Sequence, residues 1–182
     1  HSSSSVEAMR PNRSVVWQWL PRRRWSSECQ TRTFAFAGFK GARQLKQFPV
    51  TKSEEQWLKE LGHDAYKILR KGGTETAGTG KYLDFYPAEG VFRCAACHYP
   101  LYLAFHKTRS INGWPSFLQA IHSESKGSHV GTHADFGDVE VHCENCGGHL
   151  GHIFVGESCG ATGMHHCINS MSLVFDKDVF VA

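Results

Sequence analysis

Two Cys-x-x-Cys pairs constrain the fold of this chain more than any other feature. Cys94 and Cys97 form the first pair, and Cys143 and Cys146 form the second. Four thiolates can surround one Zn²⁺ ion tetrahedrally, which leaves no open position for a substrate. The pairs are far apart in sequence, so the fold must bring them together, and a structural zinc ion would then join its two halves. Two separate redox pairs, or buried unpaired thiols, are the alternatives.

The pattern around these pairs predicts a mostly β domain. Ser53 followed by Gln56 is typical of a helix N-terminus, and two short helices are expected to end at Gly62 and at the Gly72-Gly73 pair. A long loop is expected over residues 122–137. Strands are predicted over residues 81–86, 90–94, 99–105, 138–143, 149–155 and 165–175. This order favours antiparallel strands with the short helices packed outside them.

The first fifty residues differ in composition from the rest of the chain. They hold nine Lys or Arg and two acidic residues. We interpret residues 1–8 as a tag remnant and residues 9–48 as a basic, disordered segment that targets the protein to a mitochondrion or plastid. A disordered basic tail, or an arm for acidic partners, is the alternative. The folded domain is expected over residues 49–182.

The composition of the folded domain also restricts which classes of partner it can bind. Residues 51–182 carry eleven basic and fifteen acidic side chains. This balance argues against nucleic-acid binding by charge. No apolar run approaches the roughly 18 residues that a membrane helix needs. We expect a monomer with neither nucleic acid nor membrane as a partner.

Three of the seven cysteines lie outside the two pairs: Cys29, Cys159 and Cys167. Cys167 follows two histidines in a predicted strand. Side chains alternate between the two faces of a strand, so Cys167, Asn169 and the further odd positions to residue 175 would share one face. Histidines beside a thiol can promote its ionisation or donate a proton. A small buried apolar residue is the alternative for Cys167.

Two further motifs carry chemically useful side chains. His149 and His152 lie three residues apart, just after the second cysteine pair. They are candidates for half a metal site, a proton-transfer pair, or ordinary surface residues. Trp114 lies in a turn and could line an apolar pocket, although a tryptophan is more often part of the core.

Together these motifs resemble those of the B-type methionine-R-sulfoxide reductases, over roughly two-thirds of the chain. The matching segments are Ser53–Trp57, Gly80–Tyr82, the two cysteine pairs, Gly113–Phe117, His149–Phe154 and Cys167–Ser170. The resemblance implies a core of two antiparallel sheets and one structural Zn²⁺ held by four cysteines. It also implies reduction of the R epimer of methionine sulfoxide, in proteins or free, as part of protein repair under oxidative stress.

The resemblance also implies roles for individual residues. Cys167 would be the nucleophile and would be left as a sulfenic acid. His149 and His152 would position and protonate the sulfoxide oxygen, and Asn169 would orient the site. Trp114 and Phe154 would form the apolar wall for the substrate methyl group. Thioredoxin or another thiol would regenerate the enzyme.

Three departures from that family change the expectations. His165 stands where the relatives usually carry arginine, so its help in binding substrate or activating the thiol would depend on pH. Asn112 stands where many relatives carry a resolving cysteine. Residues 155–164 diverge and contain Cys159, which we favour slightly as an alternative resolving thiol over direct reduction by an external thiol.

Two other functions compete with this enzyme. A zinc-containing β module that binds a peptide, protein or nucleic acid would share the fold but has no need of Cys167, His149 and Trp114 together. A metal hydrolase could use His149 and His152 as ligands, but the sequence offers no obvious third ligand or general acid.

Overall fold

A computed structural model of the chain describes residues 46–110, 112–135, 138–155 and 164–178. The predicted tag remnant, nearly all of the predicted targeting segment, and Cys159 lie outside these residues. Among the described residues, no helix has the length and apolar character needed to cross a membrane.

Helix α1 runs over Glu54–Lys71. Ser53 Oγ accepts the N–H of Gln56 at 3.2 Å, and the Gln56 side chain accepts the N–H of Ser53 at 2.9 Å, as the capping box predicts. Gly62 interrupts the helix with φ 74° and ψ 170°. Only glycine adopts this conformation without strain, so the two predicted helices are confirmed as two segments joined at a kink.

In the part of the chain that the structure describes, eleven strands follow the helix. They are Val91–Cys94 (β1), Pro100–Leu103 (β2), Lys107–Thr108 (β3), Ser116–Phe117 (β4), His122–Ser123 (β5), Gly127–Ser128 (β6), Val130–Asp135 (β7), Asp138–Cys143 (β8), His149–Val155 (β9), Met164–Ile168 (β10) and Leu173–Asp176 (β11).

The strands form two main antiparallel sheets and one hairpin, so the predicted mostly β fold is confirmed. One sheet has the order β11-β1-β2, the other β3-β4-β10-β9-β8-β7, and β5-β6 is the hairpin. Trp57 and Leu69 of α1 belong to the same buried cluster as Phe92, Phe117 and Leu150. The helix therefore covers a core that both sheets share, and β10 lies in the middle of the larger sheet.

The prediction of one strand over residues 165–175 is wrong. The chain leaves β10 after Ile168, forms a 3₁₀ turn over Ser170–Ser172, and enters the other sheet as β11. The cause is the buried carboxylate of Glu75, which accepts the N–H groups of Ser170 at 2.6 Å and Met171 at 3.2 Å. These N–H groups bond to the carboxylate and are thereby removed from strand pairing.

Two other expectations about secondary structure also fail. Residues 81–86 do not form a strand: residues 81–84 form a turn, with a bond from the N–H of Leu83 to the carbonyl of Gly80 at 3.0 Å. The loop predicted over residues 122–137 instead contains the β5-β6 hairpin and β7. The hairpin is held through His129, whose ring bonds to the carbonyl of Pro100 at 2.9 Å and to Ser123 Oγ at 3.2 Å. Pro100 lies 29 residues before His129, so no local sequence signal records that contact.

Candidate active site

The four paired cysteines converge at the junction of the two main sheets. Cys94 ends β1 and Cys143 ends β8, while Cys97 and Cys146 lie in the turns that follow. Each turn closes with a bond back to its first cysteine: the N–H of His98 to the Cys94 carbonyl and the N–H of Gly147 to the Cys143 carbonyl, both at 2.8 Å. The same turn geometry thus places both pairs facing each other.

The separations between these sulfurs fit a metal ion. Cys94 Sγ lies 3.7 Å from Cys146 Sγ, and Cys97 Sγ lies 3.7 Å from Cys143 Sγ. All four sulfurs lie within 4.8 Å of one another. Sulfurs placed tetrahedrally around Zn²⁺ at its usual bond length would be about 3.8 Å apart. The four cysteines are therefore close enough together to hold a metal.

Cys167 lies on β10, buried between the neighbouring strands β4 and β9. Asn112 Nδ2 lies 3.0 Å from its sulfur, and Ser116 Oγ lies 3.6 Å from it. His152 is its direct neighbour across the β9 ladder. The thiol is thus surrounded by polar groups from three separate parts of the chain.

A cavity of about 60 Å³ opens beside this thiol. Its walls are Thr74, Trp114, Gly151, His152, Phe154, Cys167 and Asn169. The structure therefore brings together five of the residues selected from the sequence: Trp114, His152, Phe154, Cys167 and Asn169. An aromatic wall opposite a sulfur suits a small apolar group such as a methyl thioether.

Asn169 and Trp114 are both held in place through Glu75. The side chain of Asn169 accepts the N–H of Glu75 at 2.9 Å and donates to the Leu150 carbonyl at 3.0 Å. The indole N–H of Trp114 donates to the Glu75 carbonyl at 3.0 Å. Glu75 therefore contacts three parts of the frame around the cavity: the Asn169 side chain, the Trp114 indole and the turn that follows β10.

His149 lies three residues before His152 on β9 and contacts a carboxylate. Its Nδ1 lies 2.5 Å from Glu140 Oε1, while Glu140 Oε2 lies 2.9 Å from Nε2 of His133. Burial opposes ionisation of Glu140, but the hydrogen bond from His149 and the nearby histidines outweigh it and lower its pKa. Burial lowers the pKa of His149, against the opposing effect of Glu140.

These contacts determine which nitrogen of His149 carries the proton. An ionised carboxylate only accepts hydrogen bonds, so Nδ1 of His149 donates to Glu140. Neutral His149 then has a bare Nε2, which is buried and has no hydrogen-bond partner among the described residues. The ring lies 5.4 Å from that of His152, centroid to centroid. His149 can therefore accept a proton or hold a water behind His152.

His165 is placed differently from the other selected residues. It lies on β10 opposite Phe154 and is buried, with Nδ1 lacking a hydrogen-bond partner among the described residues. It does not line the cavity. A role for His165 in substrate binding stays a prediction.

Gly151 is required where β9 passes the thiol. A Cβ atom at this position would lie 2.0 Å from the carbonyl oxygen of Cys167, so a larger residue would push β9 and β10 apart. The glycine thus permits the close approach that forms the cavity floor.

Sequence reasoning missed four contributors to the site: Thr74, Glu75, Ser116 and Glu140. Glu140 lies in a strand of alternating polar and apolar residues, where a glutamate ordinarily indicates the solvent face. Nothing local distinguishes Glu75 from an exposed loop residue. The sequence marks Asn112 only as a replacement for a cysteine and gives no sign of its contact with the sulfur.

Comparison with known proteins gives a consistent result. The SelR domain family matches residues 61–177. A peptide methionine sulfoxide reductase B3 of Arabidopsis thaliana is 41% identical, over 69% of this chain and 70% of the relative. A peptide methionine sulfoxide reductase MsrB of Thiobacillus denitrificans is 42% identical, over 68% and 92%. An uncharacterized protein of Schizosaccharomyces pombe is 46% identical, over 72% and 95%.

Proposed function

We propose that this chain reduces the R epimer of protein-bound methionine sulfoxide at Cys167. The chain belongs to the SelR-domain family of B-type peptide methionine sulfoxide reductases. The chain is an oxidoreductase of methionine sulfoxide. The observation that carries the residue assignment is the Cys167 sulfur at the wall of a cavity faced by Trp114 and Phe154. Neither this cavity nor the comparisons with known proteins support the alternative of a non-catalytic binding module.

The reaction transfers oxygen between two sulfurs. The Cys167 thiolate attacks the sulfoxide sulfur and forms an S–S bond while the sulfoxide oxygen is protonated. The resulting hydroxyl group moves to the cysteine sulfur as the S–O and S–S bonds of the methionine sulfur break, and the thioether leaves as methionine. Cys167 is left as a sulfenic acid. The methionine sulfur has gained the two electrons that the cysteine sulfur has lost, so this half of the cycle needs no other reductant.

The proton comes from the histidine pair on β9. His152 lies directly across the ladder from Cys167 and lines the cavity. His149 lies behind it, oriented by Glu140 at 2.5 Å. This arrangement parallels other catalytic histidines, in which a carboxylate fixes the tautomer and the far nitrogen exchanges the proton.

The composition of the cavity walls supports selectivity for one sulfur epimer. With the sulfur facing Cys167 and the oxygen facing His152, the methyl group meets Trp114 or Phe154, and the peptide must leave through the open side. The opposite epimer would exchange methyl and oxygen and would place the polar oxygen against an aromatic ring, without a hydrogen-bond partner.

Regeneration has two routes. Cys159 can attack the Cys167 sulfenic acid, forming a disulfide and releasing water, after which thioredoxin reduces the disulfide by exchange. Alternatively an external thiol attacks Cys167 directly. We favour the first route slightly, because Cys159 lies in the segment that leads to β10. A Cys159–Cys167 disulfide after one turnover without reductant supports it, and full thioredoxin-dependent turnover in Cys159→Ser contradicts it.

The metal that suits the four-cysteine cluster is Zn²⁺, one per chain, held by Cys94, Cys97, Cys143 and Cys146. A closed set of four sulfurs supplies structural cross-linking and no open position for chemistry. Among the described residues, no group of three or more potential metal ligands includes His149 and His152. The alternative of a metal hydrolase that uses these histidines as ligands therefore has no metal site.

The basic N-terminal segment targets the enzyme to an organelle, and a mitochondrion is the first candidate. Its arginine-rich, acid-poor composition supports this. A relative from Oryza sativa, 44% identical over 69% of this chain and 54% of its own length, is described as chloroplastic. Imaging a fluorescent fusion of residues 9–48 tests the assignment.

The central experiment is an assay on each sulfoxide epimer separately, with intact mass measured after one turnover without reductant. We expect methionine from the R epimer only, together with oxidation of Cys167. Activity on the S epimer alone, or equal activity in Cys167→Ser, would overturn the proposal.

A further inference from the structure

We propose that the Asn112 carboxamide is a catalytic residue, which donates a hydrogen bond to the Cys167 sulfur and stabilises the attacking thiolate. The inference rests on the proposed role of Cys167 as nucleophile. Its basis is the 3.0 Å separation between Asn112 Nδ2 and Cys167 Sγ, which is short for a donor to sulfur. The sequence alone pointed only to the loss of a cysteine at this position.

The orientation of the Asn112 amide follows from its other contact. Ser110 Oγ lies 3.4 Å from Asn112 Oδ1, and the same hydroxyl accepts the N–H of Gly113 at 3.0 Å. Because this Oγ already accepts from Gly113, its own hydrogen is available to donate to Oδ1. The oxygen of the amide is therefore held toward Ser110, and the NH₂ group faces the sulfur.

The loop that carries Asn112 is itself held on the domain. The Gly113 carbonyl accepts the N–H of Gly78 at 2.8 Å, and the adjacent Trp114 donates its indole N–H to Glu75 at 3.0 Å. These bonds connect the loop to the segment after α1. The amide is therefore presented to the thiol by a supported backbone, which lowers the entropy cost of keeping it there.

A donor at this point has a specific chemical use. Cys167 is only 5% exposed, and a buried sulfur loses the water that would otherwise stabilise its negative charge. A hydrogen bond to an ionised acceptor is stronger than one to its neutral form. The Asn112 N–H therefore favours the thiolate over the thiol, and Ser116 Oγ at 3.6 Å gives weaker support.

The test measures ionisation of Cys167 directly. The alkylation rate of Cys167 by iodoacetamide is followed against pH, by mass spectrometry of the peptide that contains it. In Asn112→Ala we expect the midpoint of this profile to rise by roughly one pH unit, a tenfold loss of thiolate at neutral pH. In Asn112→Asp the rise should be larger, because the nearly isosteric side chain replaces a donor with a negative charge.

Two further variants complete the test. Gln119→Glu makes the same amide-to-acid change at an exposed position and should leave the midpoint unchanged. Ser110→Ala keeps Asn112 but removes the hydroxyl that orients it, and should raise the midpoint less than Asn112→Ala does. Ser110→Ala also supplies an answer if the Asn112 variants fail to fold, as judged by melting temperature and metal content.

The outcomes separate this inference from the proposed function. A midpoint that stays within about 0.3 pH units of the unmodified protein in folded Asn112→Ala and Asn112→Asp overturns the role of Asn112. That measurement needs no sulfoxide. Failure of the proposed function would appear independently, as absent R-epimer reduction in the unmodified protein or as full activity in Cys167→Ser.

Discussion

The four-cysteine cluster and the Cys167 site use the same side chain for opposite purposes. In the cluster the sulfurs face one another, with separations of 3.7 Å between Cys94 and Cys146 and between Cys97 and Cys143. At Cys167 the sulfur faces an amide at 3.0 Å and a cavity. One arrangement can use every sulfur to bind a metal, whereas the other leaves a single sulfur beside a cavity.

The difference shows how backbone geometry selects thiol chemistry. Tight turns with 2.8 Å closing bonds bring each Cys pair together, and such turns orient two sulfurs to one point. A strand spaces its side chains alternately on opposite faces, so Cys167 is presented singly. Removal of a cluster cysteine should therefore affect the fold, whereas removal of Cys167 should affect only the reaction.

The largest effect is expected from the cluster. Cys94→Ala should leave the domain unfolded at room temperature, because structural zinc contributes about 10 kcal/mol or more of folding free energy and net stabilities are of similar size. Circular dichroism and elemental zinc analysis measure this. Cys29→Ala, which removes a thiol outside the cluster, is the control. A folded, zinc-free Cys94→Ala protein would show that the sheets do not need the metal.

Cys167→Ser should abolish activity while the fold stays intact. A serine hydroxyl is a far poorer nucleophile, but it occupies nearly the same volume. We expect R-epimer reduction to fall by several orders of magnitude, with zinc content unchanged and a melting temperature within about 2 °C of the unmodified protein. A large loss of melting temperature would instead make Cys167 structural, like the cluster cysteines.

Glu140→Gln should reduce turnover by about 100-fold without unfolding the protein, which is the lower end of the contribution of general acid catalysis. The glutamine carries no charge to favour protonated His149. The pKa of His149, already lowered by burial, should therefore fall further. NMR titration of the histidine rings measures the shift.

Glu124→Gln, at an exposed turn position of the β5-β6 hairpin, is the matched control for this change and should alter neither turnover nor the His149 titration. If Glu140→Gln lowers turnover but leaves the His149 titration unchanged, then the carboxylate acts on the fold and not through His149.

Glu75→Gln should lower both stability and activity, but only moderately. The glutamine oxygen can accept one of the two N–H groups of Ser170 and Met171 that the carboxylate now accepts. Loss of a buried hydrogen bond costs about 1–3 kcal/mol. Urea unfolding measures the stability, and the Michaelis constant should rise as the Trp114 wall loosens. Unchanged stability would mean that the turn after β10 needs no carboxylate.

The smallest effect concerns His166, on the opposite face of β10 from Cys167. Burial lowers the pKa of His166 to about 4, below the unfolded value of about 6.5. Between these pH values the unfolded chain binds the extra proton, so stability falls as the pH decreases. From pH 7 to pH 5 the loss should be roughly 1–2 kcal/mol.

The comparison of unmodified protein with His166→Gln isolates this contribution, because metal release in acid affects both proteins equally. Urea unfolding at pH 7 and pH 5 should show a smaller pH dependence in His166→Gln. Parallel curves for the two proteins would mean that His166 titrates alike in the folded and unfolded states.

Several features could be predicted from the sequence because their causes are local. The Ser53-Gln56 capping box and the kink at Gly62 depend on residues three or four positions apart or on one backbone conformation. The paired cysteines are equally local within each pair, and their chemistry left few alternatives. The resemblance to the reductase family, carried by these motifs in their order along the chain, implied that Cys167, His152 and Trp114 share one site, and all three line the cavity.

The course of the chain between residues 165 and 175 could not be predicted in this way. Its apolar residues suit one continuous strand, but Glu75, more than ninety residues earlier, removes two N–H groups from strand pairing. No local pattern records a partner at that distance. The hairpin within residues 122–137 was missed for the same reason, since His129 is held by the distant Pro100.

The residue types in the motifs indicate the kind of chemistry: four thiols suited to a metal, one thiol beside histidines, and an aromatic wall. Which polar groups serve that chemistry depends on the folded chain, because a buried donor or acceptor must find its partner wherever the fold provides one. Asn112 therefore faces the sulfur, and Glu140 faces His149, through contacts between loops and strands that sequence spacing does not encode.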